Sequence, residues 1–154
     1  MKKLLLLPLF AILFLMPSCS SDDDNTPPPV GTTSFGTLQA FAPGATEGFV
    51  MENVETEVVV NSERTALTLT IYDVKFAEAM QSTYDITLQD IPCVVTEDAV
   101  IFENNGDVIP LLGTTPSPML KFSSVEGSVD REGNISFNAE MTRGTFTYTG
   151  AASN

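Results

Sequence analysis

Catalysis needs nucleophiles, bases or metal ligands, and this chain offers few of them. Its 154 residues include two cysteines, Cys19 and Cys93, no histidine and 20 acidic side chains. Without imidazole there is no ordinary general base near neutral pH, no common nucleophilic triad and a poor donor set for zinc or copper. Carboxylates, hydroxyls and two thiols remain. The acids are densest at Glu97-Asp98 and in Asp130-Arg131-Glu132-Gly133-Asn134. The second run faintly resembles a calcium loop but lacks the full ligand spacing and terminal glutamate of an EF-hand, so a turn with solvated charges is the preferred reading. There is no glycine-rich phosphate loop, paired-carboxylate signature or Gly-x-Ser-x-Gly elbow. The expectation is a non-enzyme with no cofactor and no bound metal. Cys93 stands among Ile91, Val94 and Val95, where an inert buried thiol is expected.

Cys19 is different, because its position carries the chemistry. Lys2 and Lys3 precede an apolar run over residues 4–16, which at 13 residues is short of the roughly 20 a spanning helix needs. Pro17-Ser18-Cys19 follows. With Leu15 and Met16 upstream and small Ser18 before the cut, the segment resembles a lipobox, in which the cysteine sulfur accepts a diacylglyceryl group before cleavage. A serine could not replace it. Each buried methylene adds about 0.8 kcal/mol of membrane affinity, so one chain binds marginally and two or three hold. Residues 1–18 are therefore expected to be a lipoprotein signal peptide and Cys19 the lipidation site. The alternative is an ordinary secretory signal in which Cys19 is incidental.

Ser20-Ser21-Asp22-Asp23-Asp24 resembles the short signal that exports Bacteroidetes lipoproteins to the outer face of the outer membrane; the alternative is a solvated acidic linker. Pro27-Pro28-Pro29 then favours an extended spacer rising about 3.1 Å per residue. Residues 19–32 form an acidic, Pro-rich tether, and the expected location is the outer membrane, exposed at the cell surface.

The remaining residues, 33–154, suffice for one domain burying about two-thirds of its unfolded surface. Once residues 1–18 are removed, five basic residues face 20 acids, a net charge of −15. Such a chain is repelled by phosphate backbones, so no nucleic-acid partner is expected. Short segments alternate apolar and polar residues with period two, and none sustains a 3.6-residue repeat. Val54, Val58 and Val60 alternate with Glu55, Glu57 and Val59; Leu67, Leu69 and Ile71 alternate with Thr68 and Thr70; Ile135, Phe137, Ala139 and Met141 alternate with Ser136, Asn138 and Glu140. Asn61-Ser62-Glu63-Arg64, Asp130-Arg131-Glu132-Gly133 and Arg143-Gly144 read as turns. Asn105-Gly106 reads as a tight hairpin turn, residues 113–118 as the longest loop, and residues 73–82 as a loop or one helical turn. Eight to nine strands without crossover helices suit an eight-stranded antiparallel up-and-down barrel, which leaves no exposed edge; a β-sandwich is the alternative.

The chain resembles the calycin-like (lipocalin-like) domain of Bacteroidetes lipoproteins over residues 34–150. The resemblance is carried by Gly36-Thr37-Leu38, Leu67-Thr68-Leu69-Thr70, Tyr84-Asp85-Ile86, Gly133-Asn134-Ile135-Ser136-Phe137 and Phe146-Thr147-Tyr148-Thr149-Gly150. It implies an eight-stranded up-and-down barrel without an assigned activity, and no functional residues carry over. A barrel of that size can hold one small apolar ligand. Its candidate lining is Leu67, Leu69, Ile71, Ile86, Phe102, Phe137, Phe146 and Tyr148, a list that describes a packed core equally well. The other expectation is a filled barrel that presents acidic loops to a surface protein partner. In both, the membrane is reached through the lipid on Cys19.

Overall fold

The computed structural model describes residues 30–153. Cys19, the signal segment and the acidic cluster therefore lie outside the described residues. Ten strands follow in chain order: β1 Gly31–Phe41, β2 Phe49–Val60, β3 Ala66–Val74, β4 Tyr84–Val95, β5 Ala99–Asn104, β6 Leu111–Leu112, β7 Thr115–Pro116, β8 Phe122–Asp130, β9 Ile135–Met141 and β10 Gly144–Ala152. One short 3-10 turn, Pro118–Leu120, precedes β8.

Every neighbouring pair is antiparallel. The order β3-β2-β1-β10-β9-β8-β5-β4 closes on itself through a β3–β4 pairing, an eight-stranded up-and-down barrel with β6 and β7 added as a small hairpin on β4. The expected barrel is present, and its closure removes the edge strands that a sandwich would have to protect. All eight strands find both neighbours within residues 31–152, so this segment encloses one continuous core, as an independently folding domain does.

Side-chain alternation produces the inside and the outside. β9 is the plainest case: Ile135, Phe137, Ala139 and Met141 are buried while Ser136, Asn138 and Glu140 are exposed. The alternation changes phase at Ser123 of β8, where the register with β9 shifts, and at three bulges marked by positive φ. Glu52-Asn53 opposes the single residue Thr37, Gln89-Asp90 opposes Thr68, and Tyr72-Asp73 opposes Asp85. Each is a β-bulge whose second residue takes positive φ, +57° at Asn53, +57° at Asp90 and +53° at Asp73. Asn and Asp are the side chains that tolerate this left-handed conformation best. The extra residue also bends the strand, as a closing barrel requires. Consequently Val54, Val58 and Val60 face inward after the first bulge but Met51 before it, and Ile86 and Leu88 face inward before the Gln89-Asp90 bulge but Ile91 and Cys93 after it.

Two local expectations differ from the structure. Asn105-Gly106 makes no hairpin: β5 pairs with β8 instead of the strand that follows it, and neither residue has positive φ. Asn104 Oδ1 accepts the Gly106 N–H at 2.9 Å, so the side chain closes a local turn and redirects the chain. Residues 113–118 are not an irregular loop. Gly113, at φ +60°, turns β6 directly into β7, and the 3-10 turn follows.

The strand directions define two barrel ends. Val60 N–H bonds to Val30 O and Ser153 N–H to Thr33 O, so the first and last described residues lie at the end that also holds the turns 61–65, 96–98 and 131–134. The connections 42–48, 75–83, 105–121 and 142–143 occupy the other end.

Candidate functional site

The eight residues expected to line the barrel all point inward, and none is more than 3% exposed. Leu67, Leu69, Ile71 and Ile86 pack between β3 and β4 within one continuous core. Phe102, Phe137 and Tyr148 fill the interior farther around the barrel, with the Phe137 and Tyr148 rings stacked at 5.2 Å and 18°. Gly127 makes this packing possible: a Cβ there would run into the Phe102 ring and into Phe137.

Toward the end with the termini, the interior carries hydroxyls. Ser34 and Thr56 are register partners on β1 and β2, fully buried, and Thr32 is nearly so. Tyr148 Oη lies 2.9 Å from Ser34 Oγ and reaches the carbonyls of Ser34 and Val54 at 3.2 Å. Gly150 leaves room for that hydroxyl, since a side chain there would overlap it. The Oγ1 atoms of Thr32 and Thr56 have no hydrogen-bond partner among the described residues.

The other end is built differently. A recess of about 260 Å³ opens there, lined by Ala40, Phe41 and Ala42 where β1 ends, by Phe76 and Met80 from the 75–83 connection, by Leu120, and by the β9–β10 turn from Met141 to Phe146. Phe146, alone among the eight sequence candidates, touches it. Its ring forms the floor, stacked on Phe76 at 5.7 Å and 20° and tilted against Phe122 at 6.1 Å. The 75–83 connection is folded over this end and held there. Phe76 N–H points at Met80 Sδ at 3.1 Å, Met80 N–H bonds to Ala77 O, and Lys75 N–H points at Met51 Sδ. Arg143 supplies the one charged side chain of the lining.

Sequence reasoning missed Phe76, Met80, Leu120, Met141 and Arg143 as members of one site. A signal existed in the irregular segment 73–82, where two large apolar residues stand outside any alternating pattern and need somewhere to bury. Two wider depressions lie on the outer flank. One, about 500 Å³, follows the Glu52-Asn53 bulge beside Phe35, Tyr72 and Lys75; the other, about 430 Å³, lies over β5, β8, β9 and β10. Both mix acids with apolar groups on open strand faces, whereas the smaller recess is bounded by side chains from four separate chain segments.

The acidic spots have structural roles. Asp130 Oδ1 accepts the Asn134 N–H at 2.8 Å and its Oδ2 accepts Asn134 Nδ2 at 2.7 Å, which closes the β8–β9 turn. Arg131 donates through Nη2 to Glu97 O and to Asp98 Oδ1, both at 2.9 Å, tying that turn to the β4–β5 turn. Among the described residues no group of three or more acids and cysteines is placed to hold a metal ion. Cys93 is buried, and burial pushes its thiol pKa up, which disfavours the thiolate. Tyr72 donates to Glu57 Oε2 at 2.9 Å, and this hydrogen bond to a carboxylate, with some burial, raises its pKa. No helix among the described residues is long and apolar enough to cross a membrane. No protein-family model, curated protein or solved structure matches the chain.

Proposed function

We propose that the chain is a surface-anchored lipoprotein whose non-catalytic, lipocalin-like barrel binds a small apolar ligand. The observation that supports the reading best is the recess between Phe76, Met80, Leu120, Met141 and Phe146, at the barrel end opposite the one where β1 begins. A tether that enters at Gly31 leaves that opening facing away from the surface to which Cys19 would be attached. The volume is just below the range typical of drug-sized ligands, which sets the scale at one ring or one short chain. Native mass spectrometry of the barrel domain purified from its own host tests the ligand: a retained small molecule is expected, and a bare mass would count against it. For the anchor, Cys19→Ala is expected to release the protein from membranes, and continued membrane association of that variant would refute the lipid attachment.

A second reading has its own support. The interior around Phe102, Phe137 and Tyr148 is filled, as in a barrel that serves only to present its loops to a surface partner. Under that reading Phe76→Ala leaves ligand retention unaffected because nothing is retained. Under the first it lowers retention, because the recess loses the ring stacked on its Phe146 floor.

A further inference from the structure

We infer that the loop-end recess takes a small apolar monocarboxylate, with its tail among Phe76, Met80, Leu120 and Phe146 and its carboxylate on Arg143. The inference rests on the ligand-binding reading above and adds the chemical class of the ligand. The lining is apolar except at Thr145 and Arg143, Arg143 is its one charged side chain, and among the described residues no carboxylate borders it. An apolar cleft with a single cation at its rim selects amphipathic anions: hydrocarbon favours the tail, and a guanidinium fork matches a carboxylate through two parallel hydrogen bonds.

Arg143 is available for this. Lys121 is paired with Asp107 at 2.7 Å and Arg131 with Asp98 at 2.9 Å, whereas Arg143 has no ion pair and no side-chain hydrogen bond among the described residues. Arg64 and Lys75 likewise form no ion pair among the described residues, and of these three unpaired cations Arg143 alone lines the recess. The backbone beneath it is held in place. Thr142 donates its N–H and its hydroxyl to Lys121 O at 3.1 and 3.2 Å, and Gly144 pairs with Met141 across the turn. The net negative charge of the domain does not forbid the anion, because charges more than about 8 Å away are screened at physiological salt while a direct contact is not.

Size narrows the class. A dry apolar cavity of about 150 Å³ is enough for benzene, which scales to about ten non-hydrogen atoms for this recess. Octanoate has that size; 1-octanol matches its tail without the charge. Isothermal titration of residues 20–154 with each is the test. Octanoate is expected to bind about tenfold more tightly than 1-octanol, with the difference shrinking as salt is raised from 50 to 500 mM. Arg143→Gln, at an exposed turn position, is expected to bring octanoate down to the octanol level and leave octanol unchanged. Equal binding of the two probes by the unaltered protein, or octanoate binding insensitive to Arg143→Gln, would refute the carboxylate and keep the apolar site. Binding of neither probe would refute both.

Discussion

Tyr148→Phe isolates one buried polar contact whose magnitude follows from its geometry. Tyr148 and Ser34 are 2% and 0% exposed, and their hydroxyl oxygens are 2.9 Å apart. The tyrosine hydroxyl has one proton, which goes toward the carbonyls of Ser34 and Val54 at 3.2 Å, so the serine hydroxyl donates to Tyr148 Oη. Phenylalanine preserves the ring and its stack on Phe137 but strands the Ser34 hydroxyl where water does not reach. An unsatisfied buried hydroxyl costs about 1–3 kcal/mol, so a loss of about 2 kcal/mol is expected. For a domain of this size that is about 8 °C in Tm, or roughly 1 M in the urea midpoint. Ser34→Ala alone should cost about 1 kcal/mol, and the double variant should recover about 1 kcal/mol relative to the sum, because neither partner is left stranded. Urea unfolding followed by circular dichroism measures all four species. A Tyr148→Phe cost under about 0.5 kcal/mol, or strict additivity in the double variant, would refute the assigned network.

Three further outcomes follow from the same interior. Thr56→Val should stabilise the barrel by about 1 kcal/mol, since it removes a fully buried hydroxyl that has no partner among the described residues; a loss of stability on denaturant titration would show that the hydroxyl is satisfied. Asn53→Ala should cost about 1 kcal/mol and Asn53→Gly nearly nothing, because only the first forces a Cβ without a compensating amide into φ +57°; equal melting temperatures would contradict the bulge. Cys93 should resist iodoacetamide at pH 8 in the folded protein and react after unfolding. Its raised pKa also has a definite linkage sign: above the ordinary thiol value near pH 8.5 the unfolded chain gives up the proton first and binds fewer protons, so stability falls as pH rises. Cys93→Ala should flatten that fall, and an unchanged slope above pH 8.5 would assign it elsewhere.

Much of the barrel was legible because a strand that is wet on one face must alternate, and runs such as 135–141 and 67–71 do so without interruption. Where the pattern broke, the cause was local chemistry that pairs residues distant in sequence. Ile91 and Cys93 could not be phased with Ile86 and Leu88, because the bulge at Gln89-Asp90 that shifts the register exists only when β3 lies opposite. Asn105-Gly106 has the composition of a hairpin turn, yet the strand next to β5 is β8, 18 residues beyond its end, and tertiary pairing overrode the local preference.

Function divides along the same line. The absence of histidine, the acidic charge, the order of strands and the placement of Cys19 after an apolar run are properties of the linear chain, since composition and period do not depend on what lies nearby in space. Which end of the barrel is open does depend on it. Phe76, Leu120 and Arg143 are separated by at least 23 residues from one another and meet only because the strands carry their connections to one rim. Side chains converging from four segments enclose volume, and enclosure is a property of packing rather than of sequence.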